Sequence, residues 1–408
     1  MNHSENKPRD YQLIDCVKLI CTFMVICVHS NQVVDNEFVN FFIKNVFCRV
    51  AVPFFFVSSS YLFRERMSVD PNYLKSKIRR LSKNYLLWSI VYLPIGFAWL
   101  NDSMTVSRWM YPLALLFGEI YTGTYYHLWY IPALLFSIVL ATKLLKHFSY
   151  KLVISLSLCF YLFGSLETYY GLLPESKLKQ SVESFISLFF TTRNGLMYGL
   201  VFVLIGFYIF DHKEQLIKLG RQVHKFLVVS AIGVVIEGSL IYQIHSSSLD
   251  HNFILALIPF SFFFFLWITS VDFEYPFSTQ RIREYSEYFY YIHPISVIII
   301  PKIGEHFHLS ALTSGWCSYF LICLLTVSLA NVLARIKRHG RKRMYFPSFF
   351  LSLTCLVMIC FHRVDLLSVL RSEFLAGILI FLTIIIAPYI QKWFESRRVQ
   401  LIVQLLKD

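Results

Sequence analysis

The chain has 408 residues, of which 56% are hydrophobic and only 15% charged, and its mean hydropathy is +0.55. Such a composition excludes a soluble globular domain and places the whole chain in a membrane. The formal net charge of +13 would fit nucleic acid, but its distribution along the chain follows membrane topology instead and excludes that partner.

Apolar runs of about 18 to 22 residues, each long enough to cross a bilayer as a helix, recur from one end to the other. They predict an all-α, polytopic transmembrane bundle with spans near 12–31, 41–62, 84–101, 127–145, 152–170, 193–210, 226–245, 253–270, 286–304, 314–334, 346–362 and 374–391. The first span follows a short polar tail and holds Asp15 and Lys18, so it is expected to stay uncleaved. Between the second and third spans lie Arg64, Arg66, Lys75, Lys77, Arg79, Arg80 and Lys83, and the run 75–83 predicts a basic amphipathic helix on the membrane surface. The 102–126 segment carries an apolar stretch that reads as re-entrant or interfacial. After the tenth span come Arg335, Lys337, Arg338, Arg341, Lys342 and Arg343. Alternate loops therefore hold most of the basic residues, which puts both termini in the cytoplasm and sets their basic groups against anionic lipid. The nine cysteines fall in predicted spans without metal-ligand spacing and read as packing residues; no metal site is expected. Phosphate-binding loops, dinucleotide fingerprints, linkers and internal repeats are absent from the sequence. Any chemistry must use membrane helices and short loops.

Polar clusters within those spans are the candidates, because ionisable groups at membrane depth are costly and mark pathways or reactive sites. Lys18 and His29 stand 11 residues apart on the first span, which returns them to within about 20° of one face and about 16 Å apart along the axis. Asp15 and Lys18 have the spacing of a helical ion pair. Arg49 lies about a third of the way into the second span, cannot lose its proton, and calls for an anion or a carboxylate. Pro53 frees a backbone carbonyl beside it, and Ser58 to Ser60 allow close helix packing. The run Tyr125-Tyr-His127-Leu-Trp129-Tyr-Ile-Pro132 is either an interfacial aromatic belt or a ring-lined polar mouth. Arg193, in Thr191-Thr-Arg-Asn-Gly195, opens a span where ordinary snorkelling to headgroups is the plainer reading. Glu237 is an isolated carboxyl near mid-span, expected to be protonated or paired. His293, followed by Pro294, is placed about 10 Å in from the cytoplasmic end. In order, these groups outline a track from a basic inner mouth past Lys18 and His293, then Arg49, to His29, His127 and Arg193.

These residues resemble the acyltransferase-3 family of integral membrane acyltransferases. Its first helix carries Leu-Asp-x-x-Arg, ten residues and His; here Ile14-Asp15-Cys-Val-Lys18 is followed ten residues later by His29. The stretch Arg49 to Leu62 resembles the second-helix signature, and His127-Leu-Trp129, Arg193-Asn-Gly and Tyr290-Tyr-Ile-His293 match in order. Lys18 for the usual Arg is the main departure. The resemblance covers about residues 10–335, which implies a domain of about ten core helices at 1–335 and an addition of about two helices with a cytoplasmic tail at 336–408. It implies transfer of an acyl group, usually acetyl, from cytoplasmic acyl-CoA to a hydroxyl of an extracytoplasmic glycan or lipid-linked sugar, in the inner membrane of a bacterium and without a permanently bound cofactor. His29 and Lys18 would then be catalytic, Arg49 and Arg193 would position substrate, and Arg79 and Arg80 would meet the CoA phosphates. His127 and Trp129 would line the acceptor mouth and His293 the donor tunnel. The resemblance extends to the membrane portion of vancomycin-resistance serine racemases, which implies the alternative of a carrier for small, amino-acid-like molecules.

Overall fold

The computed structural model describes residues 11–103, 111–271, 278–338 and 345–362. These residues are helical, with no strand among them: α1 (Gln12–His29), α2 (Glu37–Val69), α3 (Tyr73–Ser103), α4 (Tyr111–Tyr121), α5 (Tyr130–Leu144), α6 (Tyr150–Ser165), α7 (Lys177–Phe189), α8 (Gly195–Asp211), α9 (Gln222–Ile244), α10 (Leu257–Ser270), α11 (Gln280–His306), α12 (Gly315–Arg338) and α13 (Tyr345–His362). Every predicted span from 12–31 through 346–362 overlaps one of them, several of which run past the predicted bounds; the last span, 374–391, lies outside the described residues. By length and apolarity α1, α2, α12 and α9 with its following turn can each cross a membrane, and α8 continues into Lys213–Leu219 through an 80° bend. Repeated apolar helices of this kind belong to a membrane protein.

One difference from expectation has a plain cause. The basic run 75–83 is not a separate surface helix but the first turns of the 31-residue α3, because no breaker stands between Lys83 and the apolar residues that follow. Ser176 caps the amphipathic α7 by accepting from the backbone N–H of Lys179.

Two aromatic-rich cores build the bundle. One gathers Phe54, Phe56, Phe202 and Phe265 around α2, α8 and α10. The other gathers Trp88, Tyr92, Tyr291 and Phe350 around α3, α11 and α13, with Trp88 and Tyr291 stacked at 5.0 Å. Residues 125–131 bridge them, for Leu128 belongs to the second core and Trp129 to the first. The lead into α5 is therefore fixed from both sides.

Without a hydrophobic drive between helices in lipid, close packing of small residues holds such bundles together. The α2–α8 contact, the most extensive among the described helices, follows that rule. A Cβ on Gly206 would lie 2.4 Å from the Val57 carbonyl oxygen and 2.9 Å from the Tyr61 nitrogen, with the Ser60 hydroxyl closer still. Gly206→Val is therefore expected to cost about 1–3 kcal/mol or more through overpacking. Thermal unfolding of the detergent-solubilised protein, followed by size-exclusion chromatography, checks this; an unchanged midpoint contradicts the packing.

Candidate active site

Helices α1 and α11 run parallel, and one buried carboxylate sets their register. Asp15, 1% exposed, accepts from Arg283 at 3.0 Å (Nε to Oδ1) and 2.7 Å (Nη2 to Oδ2) and from the Thr279 hydroxyl at 2.8 Å. The expected Asp15–Lys18 pair does not form. An arginine fork matches both carboxylate oxygens and a lysine cannot, so Arg283 takes the position. The Lys18 side chain keeps no hydrogen bond or ion pair among the described residues.

Ten residues beyond Arg283, His293 meets His29 with ring centroids 5.5 Å apart. His127 stands edge-on to His293, also at 5.5 Å. The structure thus corrects the placement of His293 near the cytoplasmic end. Because α11 begins at Gln280, six residues before the predicted span, His293 lies at mid-helix and level with the other two imidazoles.

The His293 Nδ1 bonds the Phe289 carbonyl at 3.0 Å. A carbonyl only accepts, so that nitrogen carries the proton and Nε2 keeps its lone pair. That Nε2 is buried without a partner, as are both ring nitrogens of His127 and the Ser296 hydroxyl one turn further on. Aromatic rings close the cluster. Tyr126 lies 4.7 Å from His29, Tyr92 4.6 Å and Tyr290 5.7 Å from His127. Two of these hydroxyls serve the backbone instead: Tyr92 donates to the Tyr291 carbonyl at 2.5 Å and Tyr290 to the His127 carbonyl at 3.0 Å.

Arg49 and Arg193 converge beside this cluster. Arg49 donates to Asn252 Oδ1 at 2.5 Å and Asn45 Oδ1 at 3.0 Å, while Arg193 reaches the same Asn252 oxygen at 3.4 Å. Irregular backbone aims both. Arg49 follows a π-helical turn over Phe42–Phe47 and sits in a 3-10 turn, and Arg193 precedes the π-helical Gly195–Gly199. Such turns recur at functional sites. Asn194 caps α8 by accepting from the Leu196 and Met197 N–H groups, and Gly195 leaves no room for a Cβ, which would sit 2.7 Å from the Ala133 oxygen. Arg193 therefore points inward, its guanidinium 5.0 Å above the Trp129 ring, and does not snorkel. Trp129, 7% exposed, is likewise no lipid-facing belt residue. His29 lies within electrostatic reach of His293, Arg193, Arg49 and Lys44.

At the Asp15 end, Lys18 shares an electrostatic neighbourhood with Arg283 and Lys77. Burial and the neighbouring Arg80 and Arg283 draw Lys77, in the basic loop region, down to about 8, with Glu287 opposing them. Arg79 and Arg80 stay exposed on the early turns of α3 and are not brought near the histidines. Lys18 and His29 are about 16 Å apart along α1, so they do not share one reaction centre. Glu237 proves paired, as expected: it accepts from the Leu255 and Ala256 N–H groups at 2.5 and 2.6 Å and from the Tyr169 hydroxyl, fixing the lead into α10. Sequence reasoning missed Arg283 and Asn252. Both lie far along the chain from the groups they meet, and only Arg283 left a signal, as a cation near the start of a long helix.

Residues 11–335 match the family model described as an acyltransferase domain. An amino-acid racemase of Enterococcus faecalis is 26% identical over 336 residues, covering 80% of this chain and 46% of the racemase. A serine/alanine racemase of Enterococcus gallinarum is 26% identical over 340 residues, covering 79% of this chain and 46% of that protein. The chain thus spans about half the length of these curated relatives. No solved structure matches it.

The register contact and the free lysine make opposite predictions for stability. Asp15→Asn weakens a buried, three-donor acceptor and is expected to cost about 1–3 kcal/mol, less than a fully buried pair because Arg283 is half exposed. Lys18→Ala should cost little. Thermal unfolding of the two variants side by side checks this, and a larger loss from Lys18→Ala would contradict the geometry.

Proposed function

The chain belongs to the acyltransferase-3 family, and from that membership we propose that it is a multi-pass O-acyltransferase of the bacterial cytoplasmic membrane. It moves a short acyl group, acetyl in the simplest case, from cytoplasmic acyl-CoA to a hydroxyl of an extracytoplasmic carbohydrate or other envelope acceptor. The observation that carries this reading is one helix, α1, with a basic cluster at one end and the three-histidine cluster, holding unpaired buried nitrogens, at the other. In this reading the Asp15 end and both termini face the cytoplasm. The segment beyond residue 335, which includes α13, is an addition to the acyltransferase region.

The chemistry follows from the two ends. Lys18, with Arg283, Lys77, Arg79 and Arg80 around the mouth, holds the anionic phosphates of the donor, which enters as substrate and not as a resident cofactor. The thioester end extends toward the histidines. The His29 imidazole accepts the proton of the acceptor hydroxyl as the oxygen attacks the thioester carbonyl. A C–O bond forms, the tetrahedral intermediate collapses with loss of the C–S bond, and the proton on the imidazolium passes to the departing CoA thiolate. Both ring nitrogens of His127 and the Nε2 of His293, buried without partners, line the space where the reacting groups meet. The 16 Å between Lys18 and His29 favours donor binding, not oxyanion stabilisation, as the role of Lys18.

A carrier is the second reading, and one observation favours it: the matched relatives are named as racemases of amino acids, and the chain covers 46% of each. In that case the same polar track would pass a small amino-acid-like molecule.

Two predictions test the enzyme. His29→Gln in a folded, membrane-inserted protein is expected to lower acceptor-dependent release of CoA by about 10²–10⁴-fold. Near-normal turnover overturns the assignment, while solute flux into sealed vesicles lacking acyl-CoA supports the carrier. The second concerns pH. Lys77 is cationic below about 8 and neutral above it, so affinity for acyl-CoA should fall as pH rises from 7 to 9, and Lys77→Arg should flatten that fall. A titration of CoA binding by calorimetry checks both.

A further inference from the structure

Arg49 and Arg193 present more donors than the protein satisfies. Each guanidinium has five N–H donors, and between them the two make three side-chain hydrogen bonds, all to the neutral amide oxygens of Asn252 and Asn45. The Nε of each is buried and unpaired. Neither forms an ion pair with a carboxylate among the described residues. The two acids within electrostatic reach, Asp250 for Arg49 and Glu167 for Arg193, accept their hydrogen bonds from other groups. Asp250 accepts from the Asn252 N–H at 2.9 Å, the Asn252 side-chain amide and the Thr168 hydroxyl at 3.0 Å. Glu167 accepts from the Thr192 N–H at 2.7 Å, its hydroxyl at 2.5 Å, and the Thr191 hydroxyl at 3.2 Å.

Asn252 works as a spacer in this arrangement. Its amide hydrogens face Asp250 and its single oxygen faces both arginines, so the acid is held one residue away from the cations. Two permanently charged, partly buried guanidiniums sharing one neutral acceptor are electrostatically incomplete, and a bidentate oxyanion completes them. Trp129 beneath Arg193 holds that guanidinium plane in place.

We infer that Arg49 and Arg193 form an oxyanion subsite and that the acceptor is therefore an acidic hydroxy compound, a carboxylate or phosphate ester, whose anionic group is seated there while its hydroxyl faces His29. This deepens the acyltransferase reading and rests on it for the word acceptor; the anion subsite itself does not. A neutral glycan leaves the two guanidiniums unmatched and is the disfavoured class of acceptor.

The test is binding to the purified full-length protein in detergent at low salt, followed by calorimetry and tryptophan fluorescence. The probes are D-glucuronate, its neutral methyl ester, and glycerol 3-phosphate. At least one anionic probe is expected to bind about tenfold or more tightly than the ester, and the better of the two identifies carboxylate or phosphate as the group. Arg193→Gln should abolish the preference, and so should Arg49→Lys, which keeps the charge at 49 but not the fork. His29→Ala should retain it. Equal binding of acid and ester, no binding of either anion, or a preference that survives Arg193→Gln overturns the subsite. Because binding is read without acyl transfer, an anion preference in a protein that transfers nothing would sink the enzyme and leave the subsite standing. Efficient acylation of a neutral glycan with no anion preference would do the reverse.

Discussion

The contact between Asp15 and Arg283 is the constraint on which the site depends. A carboxylate 1% exposed inside a helix bundle must be matched by donors, and Arg283 with Thr279 supplies three hydrogen bonds in a fixed fork. Once that pin is set, two parallel helices rising at about 1.5 Å per residue have no freedom to slide. His293, ten residues above Arg283, then stacks on His29, fourteen above Asp15. A shift of one helical turn between α1 and α11 would separate the two imidazoles by about 5 Å and dissolve the cluster.

Above that pin, the polar groups divide by what already satisfies them. Two of the tyrosines packed on the histidines direct their hydroxyl protons to backbone carbonyls, Tyr92 to Tyr291 and Tyr290 to His127. They fix the backbone beside His293 and at His127 and leave both His127 nitrogens and the His293 Nε2 unmatched. Pro294 has no N–H for the Tyr290 carbonyl one turn earlier, and the His293 ring bonds the adjacent Phe289 carbonyl. In a water-poor, ring-lined space an unmatched nitrogen interacts more strongly with an incoming polar group than it would in bulk solvent.

Much of this was legible from the chain. Helix positions followed from apolar runs because every backbone group in a bilayer must bond within its own segment, which leaves the helix as the dominant choice. The Lys18–His29 face followed from periodicity, and His127, Trp129, Arg193 and His293 stood out as polar or aromatic groups at costly positions. What periodicity cannot carry is partnership across the bundle. Asp15 had a cation at i+3 and a better one 268 residues away, and the choice turns on the shape of the guanidinium, not on proximity in sequence. Asn252 is neutral and falls near the start of a predicted span, so nothing in composition marked it as the atom both arginines share. The π-helical turns that aim Arg49 and Arg193 were invisible for a related reason, since one residue more per turn leaves the apolar pattern almost unchanged.

The lysine at position 18, where the family's first-helix pattern carries arginine, fits the same logic. A fork is needed at this end of α1 to hold Asp15, and Arg283 of α11 provides it. With the fork supplied from elsewhere, position 18 needs only a charge. Its surroundings are Asp15, already matched, and the cations Arg283 and Lys77. A flexible ammonium among like charges has no reason within the protein to stay there, because the nearest carboxylate is occupied and the basic neighbours repel it. In the proposed reading, an anion entering from the basic side, such as the phosphates of a donor, would remove that repulsion for Lys18, Lys77 and Arg283 together. A side chain at position 18 shares α1 with Asp15 and cannot pin that helix against α11, so the register rests on Arg283 and position 18 is left to meet charge.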